Sequence, residues 1–125
     1  MKKSLWLLVV MGTMLASCHQ PERYCEAYRN GVFSFDYIAD GIAKTGKFTR
    51  QGDLSIEYYD GKIDSSSVRW INDCEYVVKK INPKNKSEER SIHMKILSTT
   101  ENSYTFEYNI VGDSNKSRGT AIKTN

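Results

Sequence analysis

Residues 54–71 read LSIEYYDGKIDSSSVRWI, and this segment gives the clearest indication of the fold class. In its first half Leu54, Ile56 and Tyr58 alternate with more polar residues, and alternation of this kind indicates a half-buried β-strand. Asp60-Gly61 follows, a dipeptide that favours a type I′ turn because both of its residues tolerate positive φ. We therefore expect a β-hairpin here, with Ile56 and Tyr58 facing the core.

The same alternation recurs on both sides of this hairpin, separated by short turns such as Asp40-Gly41 and Gly112-Asp113. About eight short strands at regular spacing, without a long crossover connection, predict an all-β antiparallel meander. Closure into a small barrel, or a strongly curled sheet, would protect the sheet edges. The residues expected to face inward are Phe33, Phe35, Tyr37, Phe48, Ile56, Tyr58, Trp70, Tyr76, Met94, Phe106 and Tyr108.

Two interpretations of this aromatic interior remain open. The rings either fill the core, or they form the wall of a cup that includes Tyr37, Tyr58, Trp70 and Tyr108. An eight-stranded barrel has room for packed side chains or for one small ligand. In the second case, the phenol hydroxyls and the indole N–H would supply polar contacts inside an apolar pocket.

The N-terminal segment has the order of a secretory signal. Lys2 and Lys3 precede the apolar run from Leu5 to Met11, and small residues follow before Cys18. This run is shorter than the roughly 20 residues that a membrane-spanning helix needs. The alternative is a buried amphipathic helix, but the run has no polar face to meet water. The sequence therefore predicts export.

Leu15-Ala16-Ser17-Cys18 resembles the lipobox of bacterial lipoprotein signals. The resemblance implies that residues 1–17 are removed, that Cys18 carries acyl chains, and that the chain is anchored to a membrane through this N-terminal lipid. Residues 18–24 would form a lipidated tether and residues 25–125 a single domain. His19, where the enterobacterial sorting pattern has Asp for retention at the inner membrane, implies an outer-membrane location facing the periplasm.

Two cysteines remain beyond the lipidation site, Cys25 and Cys74. In an oxidising exported setting, such a pair is expected to form a disulfide. Two free thiols or a metal-binding pair are the alternatives, although no CxxC motif or histidine cluster accompanies them.

Composition argues against nucleic-acid binding. Removing Lys2 and Lys3 from the 18 basic residues leaves 16 against 15 acidic ones, a charge of +1 for the mature chain. A nucleic-acid binder is expected to carry a concentrated basic face.

No P-loop, Gly-x-Ser-x-Gly or His-Glu-x-x-His motif is present in the sequence. The sequence therefore predicts a protein without enzymatic activity, cofactor or metal.

Several segments resemble a group of short uncharacterised bacterial lipoproteins, notably Trp70–Tyr76, Ser91–Lys95 and Ser103–Tyr108. Members of that group sometimes carry a DNA topoisomerase IV label, which we interpret as wrong for a short exported chain without an ATPase loop. A fainter resemblance is to lipocalin-like domains, which often begin with Gly-x-Trp. Gly31-Val32-Phe33 has Phe in the Trp position.

Two functions are compatible with this sequence. The first is a tethered, non-enzymatic binding module that holds a small apolar ligand in the barrel. The second is a protein-interaction or inhibitor lipoprotein that contacts an envelope protein through exposed loops such as the polar segment Asn82–Arg90. A solvated loop without a binding role is the alternative interpretation of that segment, because its charges are of both signs.

Overall fold

A computed structural model describes residues 23–125. The expected signal peptide, the lipidation site Cys18 and the tether up to residue 22 lie outside the described residues. The described part contains a short 3₁₀ helix, Cys25–Tyr28, and the strands β1 (Gly31–Ala39), β2 (Ile42–Gln51), β3 (Leu54–Tyr59), β4 (Lys62–Trp70), β5 (Glu75–Lys80), β6 (Ile92–Thr99), β7 (Ser103–Ile110) and β8 (Ser117–Lys123).

The eight strands form a closed antiparallel barrel in sequence order, as predicted. Closure comes from β1, which pairs with β2 on one side and with β8 on the other. The Asp60-Gly61 turn has φ values of 49° and 71° at its two residues, as a type I′ hairpin requires. The second strand was expected over Lys44–Arg50, and the observed β2, Ile42–Gln51, extends beyond it at both ends.

The two ends of the barrel differ. We call the end that carries the 3₁₀ helix and the chain termini the base. The other end is the mouth, where the connections around residues 40, 60, 81–91 and 111–116 lie. At the base, Cys25 and Cys74 form a disulfide with an S–S distance of 2.05 Å, which confirms the predicted pairing. The bridge fixes the 3₁₀ helix to the β4–β5 connection.

The strand register shows which side chains face inward. Phe33 on β1 is opposite Phe48 on β2, and Phe48 is opposite Glu57 on β3. Directly opposed residues of antiparallel strands share a face of the sheet, so Glu57 faces inward with the aromatic core. The expectation that Ile56 and Tyr58 face inward is therefore wrong, because successive residues of a strand point to opposite faces.

Aromatic residues fill the half of the barrel interior that is nearer the base. The buried side chains include Tyr28, Phe33, Tyr76, Ile96 and Tyr104. Phe33 stacks on Phe48 with ring centroids 4.8 Å apart.

No helix in residues 23–125 is long and apolar enough to span a membrane.

Candidate functional site

A buried arginine lies at the centre of the base. Arg50 on β2 is only 3% exposed, and its guanidinium is surrounded by hydrogen-bond acceptors. Its Nε donates to the carbonyl of Arg29 at 2.9 Å and its Nη1 to the hydroxyl of Tyr76 at 3.0 Å. Its Nη2 donates to the carbonyl of Tyr28. Arg50 therefore fastens the end of the 3₁₀ helix to the inside of the barrel.

Aromatic rings enclose the same guanidinium. Its Cζ lies within 6 Å of ring centroids on five strands, a distance at which a cation is attracted to the π-face. The shortest of these distances, 4.8 Å, is to Tyr76, and the complete set of rings is Phe33, Phe48, Trp70, Tyr76 and Tyr104. Sequence reasoning missed Arg50, although its place two residues after Phe48 puts both on the same face.

The barrel interior has little free space. A partly open void in the barrel interior has a volume of about 50 Å³, and its lining includes Arg50, Ser55 and Glu57. Sites for small ligands typically have volumes of roughly 300–1,000 Å³, whereas a void of this size holds at most a few waters. The arrangement therefore resembles a filled core and not a ligand-holding cup.

The four residues expected to line a cup do not converge. Tyr58 lies on the outer surface, where Lys47 Nζ is 5.6 Å from its ring centroid. Trp70 is at the base, with its ring 4.5 Å from that of Tyr76. Tyr37 and Tyr108 have inward positions near the mouth, on β1 and β7, which are separated by β8. None of the four lines the internal void.

The inner face of β3, β4 and β5 is polar near the mouth. Tyr59 donates to Oδ2 of Asp64 at 2.7 Å, and Lys80 Nζ lies 3.5 Å from the same oxygen. The Tyr59 hydrogen bond and the Lys80 charge hold the pKa of Asp64 below its usual range. Burial, reinforced by the charge of Asp64, raises the pKa of Glu57. These groups replace the apolar residues that the sequence pattern suggested for this part of the core.

The loop between β5 and β6 is held to this polar cluster by Glu88. Its Oε1 lies 3.1 Å from Nζ of Lys80, and its Oε2 accepts a hydrogen bond from the backbone N–H of Lys84 at 2.7 Å. These interactions lower the pKa of Glu88. The backbone N–H of Glu88 in turn donates to Oδ1 of Asn85 at 2.9 Å. The loop is therefore ordered by its own side chains and leaves Lys84, Asn85 and Lys86 exposed.

The outer surface of β3 is apolar, whereas its inner face carries Ser55, Glu57 and Tyr59. We call the outward residues Leu54, Ile56 and Tyr58, together with Ile63 on β4, the apolar wall. Ile63 is 68% exposed, Leu54 40% and Tyr58 38%. Tyr58 and Ile63 are directly paired, so the wall is continuous across the two strands.

Basic residues border this wall. The outward positions of β2, β3 and β4 carry Lys47 and Arg69 but no Asp or Glu, and Lys79 lies beside Ser67 on the next strand. Towards the base, an open groove of about 450 Å³ borders Leu54 and Ile56. The wall thus combines exposed apolar side chains, an adjoining groove and basic residues on the strands around it, while the acids Asp53 and Asp60 lie in the turns before and after β3.

Residues 23–125 contain no group of three or more histidine, cysteine, aspartate or glutamate side chains arranged to hold a metal ion. His93 lies on the outer face, with Nε2 3.1 Å from Oε1 of Glu75. No family model, no curated protein and no solved structure matches the chain.

Proposed function

We propose that this chain is a cell-envelope lipoprotein, anchored through acylated Cys18, that works as a non-enzymatic protein-binding module. The filled barrel interior is the observation that carries the proposal. A void of about 50 Å³ has no room for a small apolar ligand. We therefore expect the protein to bind its partner through its outer surface. This favours the protein-interaction hypothesis over the ligand-cup hypothesis.

The β5–β6 loop is the contact region that we propose for the protein partner. A loop that is already ordered loses less conformational entropy when it binds, so more of its contact energy is available for affinity. Glu88 supplies that order through Lys80 and the backbone of Lys84. The exposed side chains of Lys84, Asn85 and Lys86 are then held in one arrangement for contact.

The anchor and the loop lie at opposite ends of the molecule in this proposal. Residues 23–25 enter the barrel at the base, where Cys25 is bonded to Cys74. The β5–β6 loop is at the mouth. An anchor at Cys18 would therefore leave the loop free to meet other envelope proteins, and the predicted outer-membrane location would expose it to the periplasm.

Site-specific photocrosslinking of the full-length protein in living cells tests this function. A crosslinker at Lys86, on the β5–β6 loop, should capture a discrete protein, whereas one at Glu101, in the exposed β6–β7 turn at the base, should not. Glu88→Ala should reduce capture from position 86 several-fold because it releases the loop. The matched control Glu89→Ala, at an exposed neighbour, should leave it unchanged.

Equal labelling from positions 86 and 101, or equal effects of the two glutamate substitutions, would contradict a binding role for the loop. The mass of the mature chain tests the anchor separately, because acylation at Cys18 and removal of residues 1–17 change it by a defined amount.

A further inference from the structure

We infer that the apolar wall is a docking surface for the headgroup region of an anionic lipid membrane. Its outward residues Leu54, Ile56, Tyr58 and Ile63 form one apolar surface on two adjacent strands. Exposed single apolar residues need no explanation, but a contiguous exposed patch marks an interaction site. The inference rests on the proposed function in one respect, the lipid anchor at Cys18.

The inversion of β3 is the first reason to assign this surface a role. Packing alone would place Ile56 and Tyr58 inside, yet the strand buries Ser55 and half-buries Glu57. Burial raises the pKa of that glutamate, which reflects the free-energy cost of removing a carboxylate from water. A strand that turns polar side chains inward and apolar ones outward favours an apolar contact on its outer face.

The charges that border the wall identify the chemistry of the occupant. Lys47, Arg69 and Lys79 are exposed beside it, and the outward positions of β2, β3 and β4 carry no acid. A surface of apolar side chains that includes a tyrosine and is bordered by lysine and arginine suits the boundary between anionic headgroups and acyl chains. The same charges oppose a second copy of this chain, because like charges would meet across the contact.

The geometry of the anchor places the wall near lipid. Six residues lie between Cys18 and Cys25, and the seven Cα–Cα steps of a fully extended chain over this stretch span at most about 25 Å. The barrel is therefore held close to the bilayer, where even a weak interfacial contact is strengthened by effective concentration. The groove beside Leu54 and Ile56, about 450 Å³ in volume and open, lies towards the tethered end and has space for part of an acyl chain.

Fluorescence quenching by brominated lipids tests the docking in full-length protein reconstituted into vesicles. One variant, Ile63→Trp, places an indole on the wall at a position that is already exposed. Its matched control, Thr105→Trp, places one on the outer face of β7, three strands away from β4 around the barrel. The parent protein supplies the background signal of the native tryptophans, Trp70 and, where residues 1–17 are retained, Trp6.

In vesicles that contain phosphatidylglycerol, we expect the indole at position 63 to be quenched more strongly than the indole at position 105. The difference should shrink in vesicles of phosphatidylcholine alone. Lys47→Gln should lower the ratio of docked to undocked protein about fivefold, since a lysine near an anionic surface contributes about 1 kcal/mol. Lys116→Gln, a control beside Glu107 away from the wall, should have no effect.

Equal quenching at positions 63 and 105 in phosphatidylglycerol vesicles would overturn the inference, and so would a wall shielded by a second copy or by a protein partner. The mass of the mature chain keeps the two proposals distinguishable. An acylated chain with equal quenching would retain the anchor and refute the wall. An unacylated chain that still docks through position 63 would refute the anchor and retain the wall as a docking surface.

Discussion

Glu57 on β3 lies directly opposite Phe48 on β2, so a carboxyl group shares the inner face of the barrel with the aromatic core. This pairing fixes the orientation of the whole strand. It places Ser55 and Tyr59 inside with Glu57 and leaves Ile56 and Tyr58 on the surface. Both the polar mouth and the apolar wall follow from this one register.

Glu57→Gln should stabilise the folded protein at neutral pH. Burial, with the Asp64 charge, raises the pKa of Glu57 in the folded state above its unfolded value. The folded state then binds the proton more tightly, so this group favours folding at low pH and costs stability as the pH rises through the folded pKa. The neutral amide removes that cost.

Urea unfolding over a range of pH values measures this effect. The stability difference between Glu57→Gln and the parent protein should be positive at pH 7 and should shrink in acid. Glu101→Gln, at an exposed turn residue, is the control and should change little at any pH. A destabilised Glu57→Gln variant at neutral pH would contradict the buried carboxyl.

Arg50→Lys should destabilise the fold by about 3 kcal/mol, because the buried carbonyls of Tyr28 and Arg29 would lose guanidinium donors. A lysine keeps the charge but lacks the planar arrangement of donors that reaches both carbonyls and Tyr76. Chemical unfolding gives the value, and Arg69→Lys at an exposed outward position is the control. A loss below about 1 kcal/mol would show that Arg50 does not hold the base together.

Removal of the disulfide should cost about 4 kcal/mol of stability, since the bridge closes a loop of 49 residues in the unfolded chain. Calorimetry of the Cys25→Ser/Cys74→Ser double variant against the oxidised parent measures this loss. Reduction of the parent with dithiothreitol should give a matching decrease in Tm. An unchanged Tm after complete reduction would argue against a stabilising bridge.

Gly46→Ala should destabilise the barrel by about 1–3 kcal/mol. The ring of Phe35 covers this glycine so closely that an added Cβ would overlap it. Because the conflict is with one side chain, Phe35→Leu should recover part of the loss in a double-mutant cycle. Additive effects of the two substitutions would mean that the ring does not lie against Gly46.

The fold class could be predicted because its signals are local. Alternation of the kind seen in Tyr104, Phe106 and Tyr108, together with Asp-Gly turns, specifies short strands joined by hairpins. The disulfide was expected from the predicted export signal, because removal of that signal and lipidation of Cys18 would leave two cysteines in an oxidising compartment. These inferences need only neighbouring residues and cysteine counting, and the structure confirms the barrel and the bridge.

The orientation of β3 could not be predicted in the same way, because both of its faces carry an aromatic residue, Tyr58 on one and Tyr59 on the other. The choice between them depends on pairing with β2, where Phe48 and Arg50 are both turned inward. Arg50 itself is satisfied by carbonyls of the 3₁₀ helix and by the Tyr76 hydroxyl, and such partners meet only after folding. The polar interior and the apolar wall therefore emerge from tertiary contacts.

Hydroxyl-radical footprinting of the full-length protein in phosphatidylcholine nanodiscs, read by mass spectrometry, reports whether β3 turns its apolar face outward around a filled interior. We expect rapid oxidation of Tyr58, as of the exposed Tyr24, and protection of the buried Tyr76 and Tyr104. Protection of Tyr58 at the level of Tyr76 would contradict the inverted strand, and with it the apolar wall.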